Sequence, residues 1–214
     1  MIQYSIDLNL NYNNEDVMTN KQKMLRGEYY ISWDEELTHE REKAKDLLFD
    51  FNNTRPSLRE KRESMIRRLF GRIGKNCWIE SPFNCDYGSN IFAGDNFYAN
   101  TNCCILDCAE ISFGNNVWIG PNVGFYTPEH AFDSKERTAG YERALPITIG
   151  DNVWICGGVT IIGGVTIGSD SIIGAGSVVV KDIPAGVLAL GNPAKVIRAV
   201  NEQDRKGLLI DKGI

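Results

Sequence analysis

The sequence lacks the features that would place it in a membrane or on a nucleic acid. No apolar run approaches the roughly 20 residues that a membrane-spanning helix needs, and no basic segment followed by an apolar one opens the chain. The net charge of −5 has the wrong sign for a protein that neutralises phosphates. We therefore expect a soluble, cytoplasmic protein with one principal domain and with neither a membrane nor a nucleic-acid partner.

Candidate metal ligands are also scarce. The 214 residues include only two histidines, and the six cysteines contain no C-x2-C spacing. The cysteines can be interpreted as a metal cluster, a disulfide framework or packing residues. Cys103 and Cys104 are adjacent and would point to opposite faces of a strand, which favours packing. We expect no metal ion.

A six-residue repeat is the most informative feature that the sequence does contain. From Ile147 to Pro184 the units are ITIGDN, VWICGG, VTIIGG, VTIGSD, SIIGAG and SVVVKD. Two apolar slots in each unit would face inward, while the residue between them faces outward. Very short strands joined by tight turns are typical of a parallel β-helix, in which each coil buries its aliphatic side chains by stacking on the next. We expect Gly150, Gly168 and Gly174 to supply turns with positive φ.

The repeat also predicts where the chain leaves this regular path. It begins at Ile73, shifts by two residues before Ala93 and again before Phe113, and then stops. The segment 126–146 has no inward apolar slot, yet the phase is recovered at Ile149. We therefore expect 126–146 to leave the coil and return to it, and long loops on rigid scaffolds often carry functional residues.

The composition divides the chain into four parts. Residues 1–18 contain few apolar anchors and are predicted to be a disordered tail. Residues 19–70 are densely charged with apolar residues at helical spacing, which predicts an α-helical cap. Residues 71–185 form the β-helix, and 186–214 form a C-terminal extension. The predicted fold class is mainly β: a parallel β-helix with an N-terminal α-helical cap.

Three tryptophans are predicted to lie on the outside of the coils. Trp78, Trp118 and Trp154 each directly precede an inward isoleucine, so their side chains should project outward at equivalent positions. Exposed indoles at equivalent positions suggest a packing surface between subunits or the wall of a ligand site. We expect a homo-oligomer.

The search for a proton-transfer group is short because only two histidines exist. His39 lies in the charged segment, whereas His130 lies in the segment 126–146. An imidazole that titrates near neutrality can accept a proton from a hydroxyl. His130 is therefore the candidate base, with an ordinary loop histidine as the alternative. No G-x-S-x-G motif occurs, and we do not expect covalent catalysis.

Several longer motifs resemble the maltose and galactoside O-acetyltransferases. They are CDYGSNIFAGDNFYANTNCCILD at 85–107, FYTPEHAFD at 125–133, PITIGDNVWI at 146–155, IGAGSVVVKDIP at 173–184 and GNPAKVIR at 191–198. The resemblance implies a homotrimer of left-handed parallel β-helices with acetyl-coenzyme A (acetyl-CoA) between neighbouring subunits. It also implies a sugar hydroxyl as acceptor, which His130 would deprotonate for direct attack on the thioester.

The resemblance assigns further residues to the acceptor site. Asn100 would sit beside the acceptor and the histidine, and Asp86 and Asp107 would line the sugar pocket. The CDYG form at Asp86 is similar to the maltose-type enzymes, whereas the galactoside type has serine there. Glu142 matches a carboxylate position of the maltose type, where it would contact the acceptor, the loop or the base.

The cofactor positions follow from the same resemblance. The backbone N–H of Gly157 would stabilise the oxyanion. Lys195 replaces an arginine that is frequent in the family, so binding of the 3′-phosphate is expected to be weaker. The positions that match coenzyme A contacts are Gly157, Ala175, Val180, Lys181, Lys195 and Arg198.

Two alternatives to sugar acetylation remain open at this point. One is an acetyltransferase of the same fold that acts on a non-sugar acceptor such as an antibiotic, since acceptor pockets vary within one fold. The other is a non-catalytic hexapeptide scaffold protein. The presence of His130, Asn100 and the cationic C-terminal segment together argues against loss of catalysis.

Overall fold

A computed structural model describes residues 18–207 and confirms the predicted fold class, a left-handed parallel β-helix with an N-terminal helical cap. The predicted tail, except Met18, and residues 208–214 of the C-terminal extension lie outside the described residues. Within residues 18–207, no helix is both long enough and apolar enough to span a bilayer.

The cap contains three helices and one short strand. The helices are α1 (Asn20–Leu25), α2 (Glu35–Asn53) and α3 (Arg59–Leu69), and strand β1 (Tyr30–Ile31) lies between α1 and α2. The apolar stripe of α2 and α3 packs on the first coil, where Phe51 and Leu69 join the same buried cluster as Phe83. The cap therefore covers one open end of the solenoid, as stacked repeats require.

Three parallel sheets form the flat faces of the β-helix. Face 1 contains β2 (Arg72–Ile73), β5 (Ile91–Ala93), β8 (Ile111–Phe113), β13 (Ile147–Ile149) and β16 (Thr166–Ile167). Face 2 contains β3 (Trp78–Ile79), β6 (Tyr98–Ala99), β9 (Trp118–Ile119), β14 (Trp154–Ile155), β17 (Ile172–Ile173) and β19 (Val187–Gly191), and ends with the antiparallel β20 (Ala194–Ala199). Face 3 contains β4 (Phe83–Cys85), β7 (Cys103–Leu106), β10 (Gly124–Tyr126), β15 (Thr160–Ile162) and β18 (Val178–Val179).

The inward slots of the repeat build the core as predicted. Ile155, Ile161 and Ile167 are fully buried, and each pairs in register with the inward residue of an adjacent coil. Two aromatic residues of this core, Phe97 and Phe125, pack on either side of Phe113 with ring centroids 4.9 and 5.1 Å away. Each coil therefore buries its apolar side chains by stacking on its neighbours.

The predicted reason for the turn glycines was wrong. None of Gly150, Gly168 and Gly174 has a positive φ, and the left-handed position two residues later is taken by residues such as Asn116 and Asn152, both at 58°. The glycines are needed because successive coils approach closely there. A Cβ at Gly150 would lie 2.6 Å from the backbone nitrogen of Ser169.

The three tryptophans lie on face 2, but only two are exposed. Trp118 and Trp154 pair directly in the sheet and are 60% and 52% exposed, as predicted. Trp78 also points outward, but the guanidinium groups of Arg59 and Arg62 lie over its ring at 5.5 and 5.7 Å. The cap therefore covers the third indole.

Every departure from the six-residue rhythm falls at the same corner of the triangular coil. The additional residues lie between face 3 and face 1, in the segments 86–90, 107–110 and 127–146. We name these segments the insertion corner. The turns between face 2 and face 3, at 80–82, 100–102, 120–123, 156–159 and 174–177, form the turn corner. These two corners contain most of the predicted site residues.

Candidate active site

The segment 127–146 folds into a small sheet that the cap completes. Strands β11 (Pro128–His130) and β12 (Tyr141–Ala144) are antiparallel and are separated by the short helix α4 (Ser134–Thr138). Strand β1 of the cap pairs with the other edge of β12, which gives the order β1-β12-β11. The register places Tyr30, Glu142 and His130 directly opposite one another, so their side chains share one face of the sheet.

This row of side chains holds the candidate base. His130 Nδ1 lies 3.6 Å from Glu142 Oε2, and the Tyr30 hydroxyl donates to Glu142 Oε1. Exposure rises along the row, because Tyr30 is fully buried, the Glu142 side chain is 10% exposed and the His130 side chain is 61% exposed. With Nδ1 facing the carboxylate, Nε2 is the nitrogen left for a bound hydroxyl.

The Asp107 carboxylate is placed differently from the expectation. It is fully buried, and it accepts backbone N–H bonds from Asp86 at 3.0 Å, Tyr87 at 2.9 Å and Asn90 at 3.3 Å. Burial raises the pKa of Asp107 to about 6, against the lowering effect of the backbone donors. A carboxylate enclosed in this way does not line an open pocket, and in this structure it shapes the turn that carries Asp86.

Asp86 is half-buried at the edge of an open cleft. The cleft has a volume of about 510 Å³ and lies between α2 and face 3, where Lys45, Asn52 and Asn84 contribute polar groups. The Cys108 thiol donates to Asp86 Oδ2 at 3.6 Å. Burial raises the pKa of Asp86, while this bond and the charge of Lys45 lower it. The cleft has the size of a small-molecule site with a carboxylate in its wall.

Cys108 is a thiol buried in the same cluster as Tyr30. Burial raises its pKa, and the charge of Asp86 raises it further. Cys108 is therefore a neutral thiol near pH 7, and its environment does not activate it as a nucleophile.

Asn100 lies on the turn corner, away from His130. It follows β6 on face 2, whereas His130 belongs to the insertion corner beyond face 3. Asn100 Oδ1 accepts a hydrogen bond from the backbone N–H of Thr101 at 2.8 Å, and its Nδ2 donates to none of the residues within 18–207. One protomer therefore does not bring these two predicted catalytic residues together.

Gly157 and Ala175 share the turn corner with Asn100. Their turns stack directly, because Gly158 N donates to Pro121 O at 2.8 Å and Gly176 N donates to Gly157 O at 3.0 Å. In the part of the chain that the structure describes, no residue accepts from the Gly157 backbone N–H. That donor is free for a ligand, as the predicted oxyanion role requires.

The remaining predicted cofactor residues lie elsewhere and are exposed. Val180 and Lys181 follow β18, at the end of face 3, whereas Lys195 and Arg198 lie on β20. Arg198 donates to both carboxylate oxygens of Asp204, at 2.8 and 2.7 Å, so a phosphate would compete with this carboxylate for the guanidinium. The predicted cofactor positions thus spread over the turn corner, the end of face 3 and strand β20.

Tyr30 is the site residue that sequence reasoning missed. The spacing in the charged segment 19–70 predicts an α-helical cap, and the two-residue strand β1 inside it is not part of that prediction. The available signal was the run of Tyr29, Tyr30 and Ile31 just after Gly27, because aromatic and β-branched residues favour strands.

Comparisons with known proteins agree with this fold. A family model of the maltose acetyltransferase hexapeptide capping motif matches residues 23–74, and the six-repeat bacterial transferase hexapeptide model matches residues 146–181. The galactoside O-acetyltransferase of Escherichia coli is 44% identical, with 86% of this chain and 91% of that protein covered.

Two solved structures are similar over nearly their whole length. A maltose O-acetyltransferase from Clostridium difficile 630 has a TM-score of 0.85 and 50% identity, covering 86% of this chain and 99% of that one. A galactoside acetyltransferase in complex with coenzyme A has a TM-score of 0.85 and 44% identity, covering 87% of this chain and 94% of that one.

The fold and the capping motif define the class: a hexapeptide-repeat acetyltransferase with a cap of the maltose acetyltransferase type. Within that class, the chain belongs to the maltose and galactoside O-acetyltransferase family.

Proposed function

We propose that this protein transfers an acetyl group from acetyl-CoA to a hydroxyl of a maltose- or glucose-type sugar. The observation that carries the proposal is the row of Tyr30, Glu142 and His130, which ends in an accessible imidazole backed by a buried carboxylate. The coenzyme A complex of the similar galactoside acetyltransferase supports the donor. The carboxylate of Asp86 supports a polyhydroxyl acceptor, because it can accept hydrogen bonds from more than one sugar hydroxyl.

The proposed reaction is a direct transfer in a ternary complex. His130 Nε2 accepts the proton of the acceptor hydroxyl while the oxygen attacks the acetyl carbonyl carbon. The carbon–sulfur bond then breaks, and the coenzyme A thiolate takes this proton from the His130 imidazolium, which restores the neutral base. Glu142 stabilises the imidazolium that forms in between, because its carboxylate lies beside Nδ1. The free N–H of Gly157 stabilises the oxyanion.

We further propose that the complete site forms between protomers of a homotrimer. His130 and Glu142 lie on the insertion corner, whereas Asn100 and Gly157 lie on the turn corner. In a closed ring, the insertion corner of one protomer can meet the turn corner of the next, and this brings the two sets together. The exposed indoles of Trp118 and Trp154 on face 2 supply apolar surface for such packing.

The proposed acetyl donor would contact residues of both protomers. Gly157 and Ala175 would follow the pantetheine from the turn corner, with Val180 of the neighbour opposite. Lys181, Lys195 and Arg198 would bind the phosphates, since all three are exposed cations near the end of the solenoid.

The test measures release of coenzyme A thiol from acetyl-CoA against a panel of maltose, glucose, a thiogalactoside and chloramphenicol. We expect maltose or glucose to give the highest kcat/KM. His130→Ala should lower kcat by about 10²-fold or more, while coenzyme A binding persists. Equal turnover by His130→Ala would refute the base, and preference for chloramphenicol would refute the sugar acceptor. Absence of turnover with every acceptor and retained coenzyme A binding would favour a scaffold protein.

A further inference from the structure

We propose that Tyr30, contributed by the cap, is a positioning residue for the acetyl transfer. Its hydroxyl fixes the Glu142 carboxylate, and the carboxylate in turn fixes the orientation and tautomer of His130. This inference rests on the proposed function, in which His130 is the base.

The two oxygens of Glu142 have different partners. Oε1 accepts the Tyr30 hydroxyl proton, and Oε2 faces His130 Nδ1 at 3.6 Å. Without Tyr30 the carboxylate is free to rotate about its last torsion, since such torsions are broad. The hydroxyl therefore selects the orientation in which one oxygen always faces the imidazole.

Tyr30 is suited to this task because its hydroxyl remains protonated and its ring is held by packing. Burial raises its pKa, and the neighbouring Cys108 and Glu142 side chains raise it further, so the hydroxyl keeps its proton throughout the working pH range. The ring is fully buried in a cluster with Met24, Leu37 and Ala144. A buried hydroxyl without a partner would be costly, and Glu142 is the acceptor that satisfies it.

The backbone around Tyr30 holds the strand in register from both sides. Tyr30 pairs with Glu142 of β12 on one side of β1, and on the other side the Ile31 N–H donates to Asn20 Oδ1 at 3.0 Å. Asn20 Nδ2 donates to Asp34, the N-cap of α2, at 2.9 Å. The helices of the cap thus fix β1, and through it the base on the far side of β12.

Loss of the Tyr30 hydroxyl should lower the rate of the chemical step and leave the binding of acetyl-CoA unchanged. A misplaced imidazole lowers the rate of proton transfer but touches no part of the acetyl donor. Tyr30→Phe removes one oxygen atom and keeps the ring, so we expect kcat to fall about tenfold or more with an unchanged KM for acetyl-CoA. Tyr87→Phe is the matched control, because Tyr87 is buried in the same cluster but its hydroxyl accepts from Arg41 at 2.6 Å.

A double-mutant cycle separates positioning from a merely structural role. If Tyr30 acts only through the carboxylate, Tyr30→Phe has no further effect on kcat in the Glu142→Gln background. Equal fold-losses in both backgrounds would overturn the inference. Glu142→Asp is a second test that changes no residue of the cap. A carboxylate one methylene shorter cannot contact Tyr30 and His130 at the same time, so kcat should fall about as much as in Tyr30→Phe. Wild-type kcat in Glu142→Asp would overturn the inference.

The outcomes also distinguish this inference from the proposed function. If His130→Ala loses activity while Tyr30→Phe keeps wild-type kcat, the base stands and the positioning role fails. If His130→Ala keeps wild-type turnover, the proposed function itself fails. A loss of kcat in Tyr87→Phe equal to that in Tyr30→Phe would show that looser packing of the cluster is enough to lower kcat. This result would also overturn the inference.

Discussion

Arg62 joins the cap to the first coil through buried hydrogen bonds, and its replacement tests how much these bonds stabilise the protein. It is 2% exposed, and its guanidinium donates to the carbonyls of Phe51 at 3.2 Å, Thr54 at 3.1 Å and Ile79 at 3.0 Å. The Phe51 carbonyl also accepts from Thr54 N, but the other two carbonyls have no second donor within residues 18–207. Arg62→Met therefore leaves two buried carbonyls unsatisfied.

The expected cost follows from these two carbonyls. Each unsatisfied group costs about 1–3 kcal/mol, which gives about 2–6 kcal/mol for the pair. Burial lowers the pKa of Arg62, which shows that its charge is destabilised by desolvation. Because methionine carries no charge, this penalty is absent in the variant and offsets part of the cost. We expect the free energy of unfolding to fall by about 3 kcal/mol. Methionine keeps most of the apolar contact with Phe51, whose ring centroid lies 4.1 Å from the guanidinium carbon.

The assay is equilibrium urea unfolding, followed by tryptophan fluorescence and circular dichroism at one fixed protomer concentration. Arg59→Met is the control, because Arg59 is exposed on the same helix and lies over the same Trp78 ring. It should cost no more than about 1 kcal/mol. If the two variants lose the same free energy of unfolding, the hydrogen bonds of Arg62 do not hold the cap and the reasoning fails.

Two further predictions concern the coils and the acceptor cleft. Gly150→Ala should lower the free energy of unfolding by about 1–3 kcal/mol, because its Cβ would meet the next coil. Gly186→Asn should be nearly neutral, because Gly186 has a φ of 70° and open space around it. Equal losses of the two variants in urea unfolding would contradict this. Asp86→Ser should raise the KM for maltose relative to that for a thiogalactoside, because the cleft loses its carboxylate. The KM for acetyl-CoA should stay unchanged. An unaltered acceptor preference in steady-state kinetics would contradict this prediction.

The fold was predictable because every coil repeats the same physical constraint. Inward slots such as Ile155 and Ile161 must be apolar in each unit, so the period survives in the sequence. The path of segment 126–146 was predictable for the same reason, since the phase on either side of it agrees. The turn glycines were predicted with the wrong cause, because a close approach such as that of Gly150 to Ser169 involves another coil and leaves no local sequence signal.

The site was predictable only in part. His130 was predicted as the candidate base because histidines are rare here, and Glu142 was predicted because it matches the family pattern. The partnership of Tyr30 with Glu142 was not predictable, because it joins residues separated by 112 positions through a two-residue strand. The burial of Asp107 depends on backbone donors of the preceding coil, which composition and spacing do not show.

The most direct test of the account mixes His130→Ala and Asn100→Ala, two variants that we expect to be inactive on their own and whose changes lie on different corners. The proteins are dissociated together, reassembled at equal amounts and assayed for acetyl transfer. If each site takes His130 from one protomer and Asn100 from its neighbour, random mixing restores about a quarter of wild-type activity, because each site needs two intact contributions. Activity no higher than that of the separate variants, in rings shown to be mixed, would contradict the composite site.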